Sequence, residues 1–417
     1  MPPLLRRSQL LSPYTVLDLT DHRGELTAMV LGDMGADVIK VEPPQGSSSR
    51  RMAPILHDAP EPEQSLQFFS YNRNKRGITL DLQAEPGRRA LMALVETADF
   101  LIESSEPGEM ASLGLSFDEL RQRNPRLVYV AITAYGQDGP YSGFAANDLT
   151  LAAMGGPMSL QGHPDRPPVR ITVPQVWLQA SAEAAVGAMT AHALMVQTGE
   201  AQLVDVSAQA AMVWTMLHGM AAHAIQGFDI NRGGSNLQLG TVIMPLVFEC
   251  ADGYVVFGLY AATIGTLVHW LVEDGIVPEE WIEGEDWLAY GRCLLQGMPV
   301  TYPLEETVEA TRRYVRRYSK KELMERGLRE GFTIAPVSTT EDLTRFRQLE
   351  ERGFWLQAPL ADGRGVLAPG LFARLTETPM DVRRWAPTLG QHTADILGGM
   401  LGLSDGEIAE ATGINGA

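Results

Sequence analysis

The turn Asp21-His22-Arg23-Gly24-Glu25 is where the residue types first bear on ligand chemistry, the question being whether an anion could sit there. The turn follows the apolar residues Val16, Leu17 and Leu19, and it precedes Leu26, Met29, Val30 and Met34, which recur at helical spacing. A strand-to-helix turn is where a dinucleotide pyrophosphate could sit. Here the glycine pattern G-x-G-x-x-G is missing and Glu25 stands where the anion would approach, so nicotinamide and flavin binding are disfavoured. Cys250 and Cys293 are far apart and have no metal-ligand neighbours, which reads as two ordinary thiols. The eight histidines show no metal-ligand spacing; His22, His163 and His392 fall in loops or near helix starts and are expected to have ordinary surface roles.

The elements around this turn define the fold class. Two strands, at Val16–Leu19 and Asp37–Glu42, flank one amphipathic helix that Gly35 ends, a β-α-β unit with parallel strands. Alternation continues through strand Gly77–Leu82, helix Glu85–Glu96, strand Phe100–Glu103, a helix from Ser116 and strand Leu127–Thr133. Ser116 and Glu119 have capping-box spacing, and Pro86 suits the first turn of its helix. A long Ala-rich helix is predicted over Pro174–Gln197, then strand Ala201–Val206 and a helix from Ser207 towards Ile225. Helical segments follow at Thr263–Leu271 and Leu304–Arg329, after strand Gly253–Leu259.

We therefore expect an α/β protein. Its large Rossmann-like domain begins at 12–210, a smaller α+β domain is inserted at 225–330, and the chain returns to the large domain over 331–417, near Ile334–Val337. The parallel sheet is expected to draw on both the N- and C-terminal parts.

Composition excludes several function classes. With 417 residues, 45% of them hydrophobic, the chain can bury two cores. No apolar run reaches the roughly 18 residues that cross a bilayer, and the segment Met-Pro-Pro-Leu-Leu-Arg-Arg lacks the apolar core of an export signal, so a cytoplasmic location is expected. The net charge of −18 repels nucleic acid and anionic membranes, and neither is expected as a partner.

The order of motifs resembles the class III CoA-transferases of the formyl-CoA/carnitine type. VLDLT at Val16–Thr20 and GADVIKVEPP at Gly35–Pro44 carry the resemblance first. NRNKRGITLDL (Asn72–Leu82), ADFLIESSEPG (Ala98–Gly108), the run from Leu113 to Tyr141, GEAQLVDVSAQAA (Gly199–Ala211), DGYVVFGL (Asp252–Leu259) and APTLGQHTADIL (Ala386–Leu397) extend it over nearly the whole chain. The resemblance implies subunits threaded through one another as an interlocked dimer. It also implies a carboxylate nucleophile that forms an anhydride and then an enzyme thioester, with coenzyme A thioester as substrate and no tightly bound cofactor or metal.

That nucleophile is missing. Counting back 25 residues from Gln202 in TGEAQLVDVS, the family's aspartate position falls on Trp177, with Val186-Gly187 in register between them. Indole supplies no nucleophilic oxygen. Glu183 is six residues on, about 600° of helix rotation, and points to another face; Gln175 and Gln179 are amides, and Asp165 belongs to a turn at His163–Pro167. Racemases of the superfamily use a His/Asp pair whose positions fall on Asn147 and Trp177, so both bases are replaced.

The CoA pocket implied by the resemblance is degenerate. Gln83 replaces a lysine, Ser104 and Ser105 replace Asn-Phe, Ser112 replaces an arginine and Glu106 adds a negative charge, while Tyr135 and Gly136 are retained. The chain thus resembles the non-catalytic subunit of heteromeric members, those of the succinyl-CoA:benzylsuccinate type among them. Its expected partners are a homologous catalytic CoA-transferase subunit, an acyl-CoA and a carboxylic acid. The competing readings are an active homodimer using another carboxylate, an acyl-CoA racemase, and a non-enzymatic acyl-CoA-binding or scaffold protein.

Overall fold

The computed structural model describes residues 9–413 except 228, 240, 241, 260, 261, 361 and 362; the segment Met1–Arg7, expected to carry no export signal, lies outside the described residues. Two compact units emerge: the larger takes in the chain up to Met158, Arg170–Gly227 and everything from Gln348, and the smaller comprises Ser159–Val169 and Phe228–Arg347.

In the larger unit six parallel strands form one sheet: β1 (Thr15–Leu19), β2 (Asp37–Glu42), β3 (Lys75–Thr79), β4 (Phe100–Glu103), β5 (Val128–Thr133) and β6 (Gln202–Ser207). Their spatial order is β3-β2-β1-β4-β5-β6. Neighbouring residues of each strand enter opposite cores. Val16, Val38, Phe100, Val128 and Val130 belong to one, Leu17, Ile39, Leu101 and Tyr129 to the other, which is why these strands read as nearly continuous apolar runs.

Helix α1 (Glu25–Asp33) and the long helix α4 (Val176–Thr198) cover the first face; α2 (Glu85–Val95) and α3 (Phe117–Arg123) cover the second. Ser116 and Glu119 close the capping box of α3. Ala180, Ala184, Ala188 and Ala191 form the buried stripe of α4, and their small size lets α1 approach until Thr27 Oγ1 donates to Ser181 O at 3.0 Å. Gly187 serves the same end, since a Cβ there would meet Val204 Cγ1 at 2.7 Å. The helix expected from Ser207 to Ile225 is two, Ala208–Trp214 and Leu217–Gln226.

Among the described residues the C-terminal part adds no strand to this sheet, contrary to expectation. It lies along the open edge of β3 instead. His392 N donates to Gly77 O and its Nδ1 accepts from Gly77 N at 3.1 Å, while Thr393 Oγ1 accepts from Thr79 N at 3.2 Å. Pro387, which has no N–H to offer a ladder, packs where Gly77 leaves room, so the edge is covered without being extended. His392 is therefore an ordering residue of this edge and not a surface histidine; burial, then Arg384 and Arg76, hold its pKa below the ordinary value.

In the smaller unit the chain at Ile334–Val337 also departs from the expected return. Ala335–Pro336 pairs antiparallel with Val255 and Val256, in a three-stranded sheet with Val247–Cys250. The stretch Leu304–Arg329 divides into helices Leu304–Val315 and Lys320–Glu330, because Ser319 and Glu322 form a capping box that starts a new helix. Trp270, Tyr290, Tyr314 and Phe332 fill this unit's own core.

Candidate functional site

Strand order reverses direction between β1 and β4, and at such a switch point the loops leaving two adjacent parallel strands diverge and open a crevice at their C-terminal ends. A cleft of about 520 Å³ lies here. Asp21, His22 and Arg23 follow β1, Glu106 follows β4, and Asn147, Asp148, Pro174, Trp177 and Leu178 close it from the α4 side, with Met52 and Gln67 completing the wall.

Buried ionic contacts hold the loop after β1. Asp18, fully buried on β1, accepts from Lys75 Nζ at 2.8 Å, and Lys40 Nζ lies 3.5 Å from Asp18 and 3.6 Å from Glu25. Lys75 Nζ also donates to the Glu25 carbonyl and to Asn72 Oδ1; Lys40 Nζ donates to the Thr20 carbonyl. Burial alone would raise the Asp18 pKa, but Lys40 and Lys75 outweigh it and hold it below the ordinary value. Glu25 goes the other way, raised by burial, and its Oε2 has no hydrogen-bond partner. Glu25 is thus an internal group of the β1–α1 junction.

Above this layer, Asp21 Oδ1 accepts from Arg23 N and Nε and from Ser104 Oγ at 2.9–3.1 Å. Arg23 NH1 donates to Glu106 at 2.6 Å, so the charge of Glu106, expected to stand free and repelling, is paired. Asp148 Oδ1 accepts from the Gln175 and Val176 amides at 2.9 and 2.8 Å and fixes the start of α4. The cleft lining carries the carboxylates Asp21, Glu106 and Asp148 against the single guanidinium of Arg23, a poor cradle for phosphates.

Trp177 is 6% exposed, belongs to the core with Val176, Leu151 and Ala180, and presents its ring to the cleft edge-to-face with His22 at 6.5 Å. Asn147 lines the same cleft, so the two positions assigned to the racemase bases come together, occupied by an amide and an indole. His22 lines the cleft too, and is more than a surface histidine.

The five residues assigned to a CoA pocket lie outside the lining of this cleft. Ser104 is buried beneath the loop, bonded to Asp21; Ser105 N donates to Glu103 Oε2 at 2.6 Å. Tyr135 Oη contacts Met154 Sδ at 3.2 Å beyond β5, and Gly136 (φ +98°) donates to Thr133 Oγ1. Gln83 is exposed after β3, its N–H on Asp81 and its carbonyl on Arg88. None of them lines the cleft. The roles of Asp21, Arg23 and Asp148 were missed because each also bonds a residue distant in sequence: Ser104, Glu106, and the Gln175 and Val176 amides. Glu183, bonded to Gln179, and Asp165, exposed beside His163, are not in the cleft lining either.

Glu103, buried at the end of β4, has its pKa pushed up to about 7, chiefly by burial and against the hydrogen bond from Ser105. A carboxyl raised from 4.5 to about 7 favours the fold below pH 4.5 and loses that advantage as pH rises through 7. Glu103→Gln is expected to stabilise the protein by about 3 kcal/mol at pH 8.5, falling to about 1 kcal/mol at pH 5.5. Urea unfolding at the two pH values tests this, and a pH-independent difference would contradict it.

Comparison with known proteins gives one answer. Residues 11–393 match CoA-transferase family III. The chain is 34% identical to the succinyl-CoA:(R)-benzylsuccinate CoA-transferase subunit BbsE of Thauera aromatica, over 93% of each chain. It is 30% identical to the succinyl-CoA--L-malate CoA-transferase alpha subunit of Chloroflexus aurantiacus, over 95% of this chain and 90% of that one. A crystal structure of a CAIB/BAIF family protein from Brucella suis matches with a TM-score of 0.81 at 25% identity, covering 94% of this chain and 100% of that one.

Proposed function

Because the chain belongs to CoA-transferase family III, whose members move CoA between carboxylic acids, we propose that it is the non-catalytic subunit of a heteromeric transferase. One observation carries this reading: Trp177, at the expected nucleophile position, fills the wall of the switch-point cleft with indole. The catalytic aspartate then comes from a homologous partner chain, with succinyl-CoA or another acyl-CoA as donor. The two relatives described as subunits support the heteromer.

The surface supports it as well. Val186, Val196, Leu203, Trp214, Leu217 and Ile225, on α4, the edge strand β6 and the two helices after it, are 44–82% exposed. So much exposed apolar side chain on connected elements suits burial by a second chain. An interlocked dimer with the homologue would cover it.

Asp148 and the other cleft carboxylates leave one rival, a transferase that works as a single chain. Both readings meet the same assay. The purified chain, given succinyl-CoA and a panel of carboxylic acids, is expected to form no new acyl-CoA. Together with a homologue carrying aspartate at the position of Trp177 it should turn over at roughly 1 per second or faster. Turnover by this chain alone at that rate sinks the subunit reading, and abolition by Asp148→Asn would identify the rival's nucleophile.

A further inference from the structure

The switch-point cleft holds a group of side chains that neither the family chemistry nor the subunit reading uses. His22 Nδ1 is buried, makes no hydrogen bond and faces Asp21 Oδ2 across 3.6 Å. Asp21 is held in place through its other oxygen by Arg23 and Ser104. Its Oδ2 is left for Ser48 Oγ at 3.5 Å and for the imidazole. A small approach of the ring would make Nδ1–H the donor to Oδ2, which selects the tautomer whose Nε2 carries a lone pair. That nitrogen is not among the buried unpaired atoms, and His22 lines the cleft.

The same wall carries two primary amides. Asn147 uses its Oδ1 to accept from Thr150 N, leaving its amide N–H groups uncommitted, and among the described residues the Gln67 side chain has no hydrogen-bond partner. A base oriented by a carboxylate, with neutral N–H donors lining the same cleft, is an arrangement that can activate water and stabilise a carbonyl oxygen as it becomes negative. Among the described residues no serine, cysteine or threonine lines this cleft, so the arrangement points to water as the attacking species.

We propose that His22, oriented by Asp21, acts as a general base for hydrolysis of a thioester bound in this cleft. Water oxygen bonds to the thioester carbonyl carbon while one water proton passes to His22 Nε2. Collapse of the tetrahedral adduct breaks the C–S bond, and the departing thiolate takes that proton. The products are a carboxylic acid and a free thiol, with no oxidant, reductant or metal required. Asn147 and Gln67 donate to the adduct's oxyanion. Trp177, Leu178, Pro174 and Ala146 offer an apolar wall to the acyl chain, and the excess of carboxylates over guanidinium in the lining disfavours an acyl group with a free carboxylate. The occupant this fits is an uncharged, apolar acyl thioester. The proposal takes only the thioester from the family reading and stands whether or not a partner chain supplies an aspartate.

The test uses the full-length chain alone, without any carboxylic acid acceptor. Thiol release is followed with a chromogenic disulfide on acetyl-, benzoyl-, hexanoyl- and succinyl-CoA, and the acid product is examined after reaction in ¹⁸O-water. The wild type is expected to release thiol above the protein-free rate, fastest with the benzoyl and hexanoyl thioesters, and to incorporate ¹⁸O into the acid. His22→Gln should lower the rate about 100-fold with little change in the unfolding midpoint. Asp21→Asn should lower kcat while leaving KM nearly unchanged. Absence of thiol release from the folded wild type, or full retention of it in folded His22→Gln, overturns the proposal. CoA transfer by the complex with the homologue is measured separately, so failure of the hydrolysis leaves the subunit reading intact, and failure of transfer leaves the hydrolysis standing.

Discussion

Asp18→Ala is expected to lower the stability of the larger unit by about 3–5 kcal/mol, because removing one partner of a buried ion pair leaves the other charge without compensation. Asp18 and both lysines facing it are fully buried. Lys75 would keep the Glu25 carbonyl and Asn72 but lose its only hydrogen-bonded carboxylate, and Lys40 would keep Glu25 alone at ion-pair distance. Lys75→Met added to Asp18→Ala should recover part of the loss, since the double variant no longer buries an unmatched cation. Urea unfolding of the two singles and the double measures this. A loss below about 1 kcal/mol for Asp18→Ala would mean that water reaches the network. The sign with pH follows from the lowered Asp18 pKa: its contribution is complete above the ordinary 3.8 and disappears as pH falls through the lower folded value.

Trp177→Ala is expected to cost about 3–5 kcal/mol, the range for truncating a large buried ring, and nearer its lower end because one side of the indole faces the cleft. The ring packs with Val176, Leu151 and Ala180 at the start of α4, so its loss opens the junction between core and cleft. Trp177→Phe should cost distinctly less. Thermal or urea unfolding of both variants gives the answer. If Trp177→Ala is as stable as wild type, the indole is not a structural wall, and the proposal that it replaces a nucleophile with packing loses its physical basis.

The strands and helices of the larger unit were legible because each carries a local signal. Val16-Leu17 and Val128–Ile132 are apolar on both faces, Ser116 and Glu119 mark a helix start, and Gly35 marks a helix end with φ +111°. The breaks inside two long helical stretches were harder. Ser319 and Glu322 carry a capping signal that an apolar periodicity running through it conceals. The path of the C-terminal segment was misjudged because a chain lying along a sheet edge, tied by His392 and Thr393, has no periodicity of its own.

The site shows the same division. Trp177 was singled out by register with a motif 25 residues away, and it lines one cleft with Asn147. Gln83, Ser104, Ser105, Tyr135 and Gly136 were grouped by motif; they follow three different strands and take different partners, Ser104 bonding to Asp21 in the β1 loop. His22 was passed over as a loop residue, since nothing in the order of residues says that its ring would meet Trp177.

By itself the amino-acid sequence determined the α/β class and the family, and it placed an indole at residue 177, because these depend on local patterning and on residue identity. Only the tertiary structure decided that Asp21, His22, Arg23, Glu106 and Asp148 share a cleft with that indole, and that Asp18, Glu25, Lys40 and Lys75 neutralise one another beneath it. The physical reason is the parallel sheet: the crossover from β3 returns past β2 to place β4 beside β1, and the reversal of order there gathers loops more than 80 residues apart at one crevice.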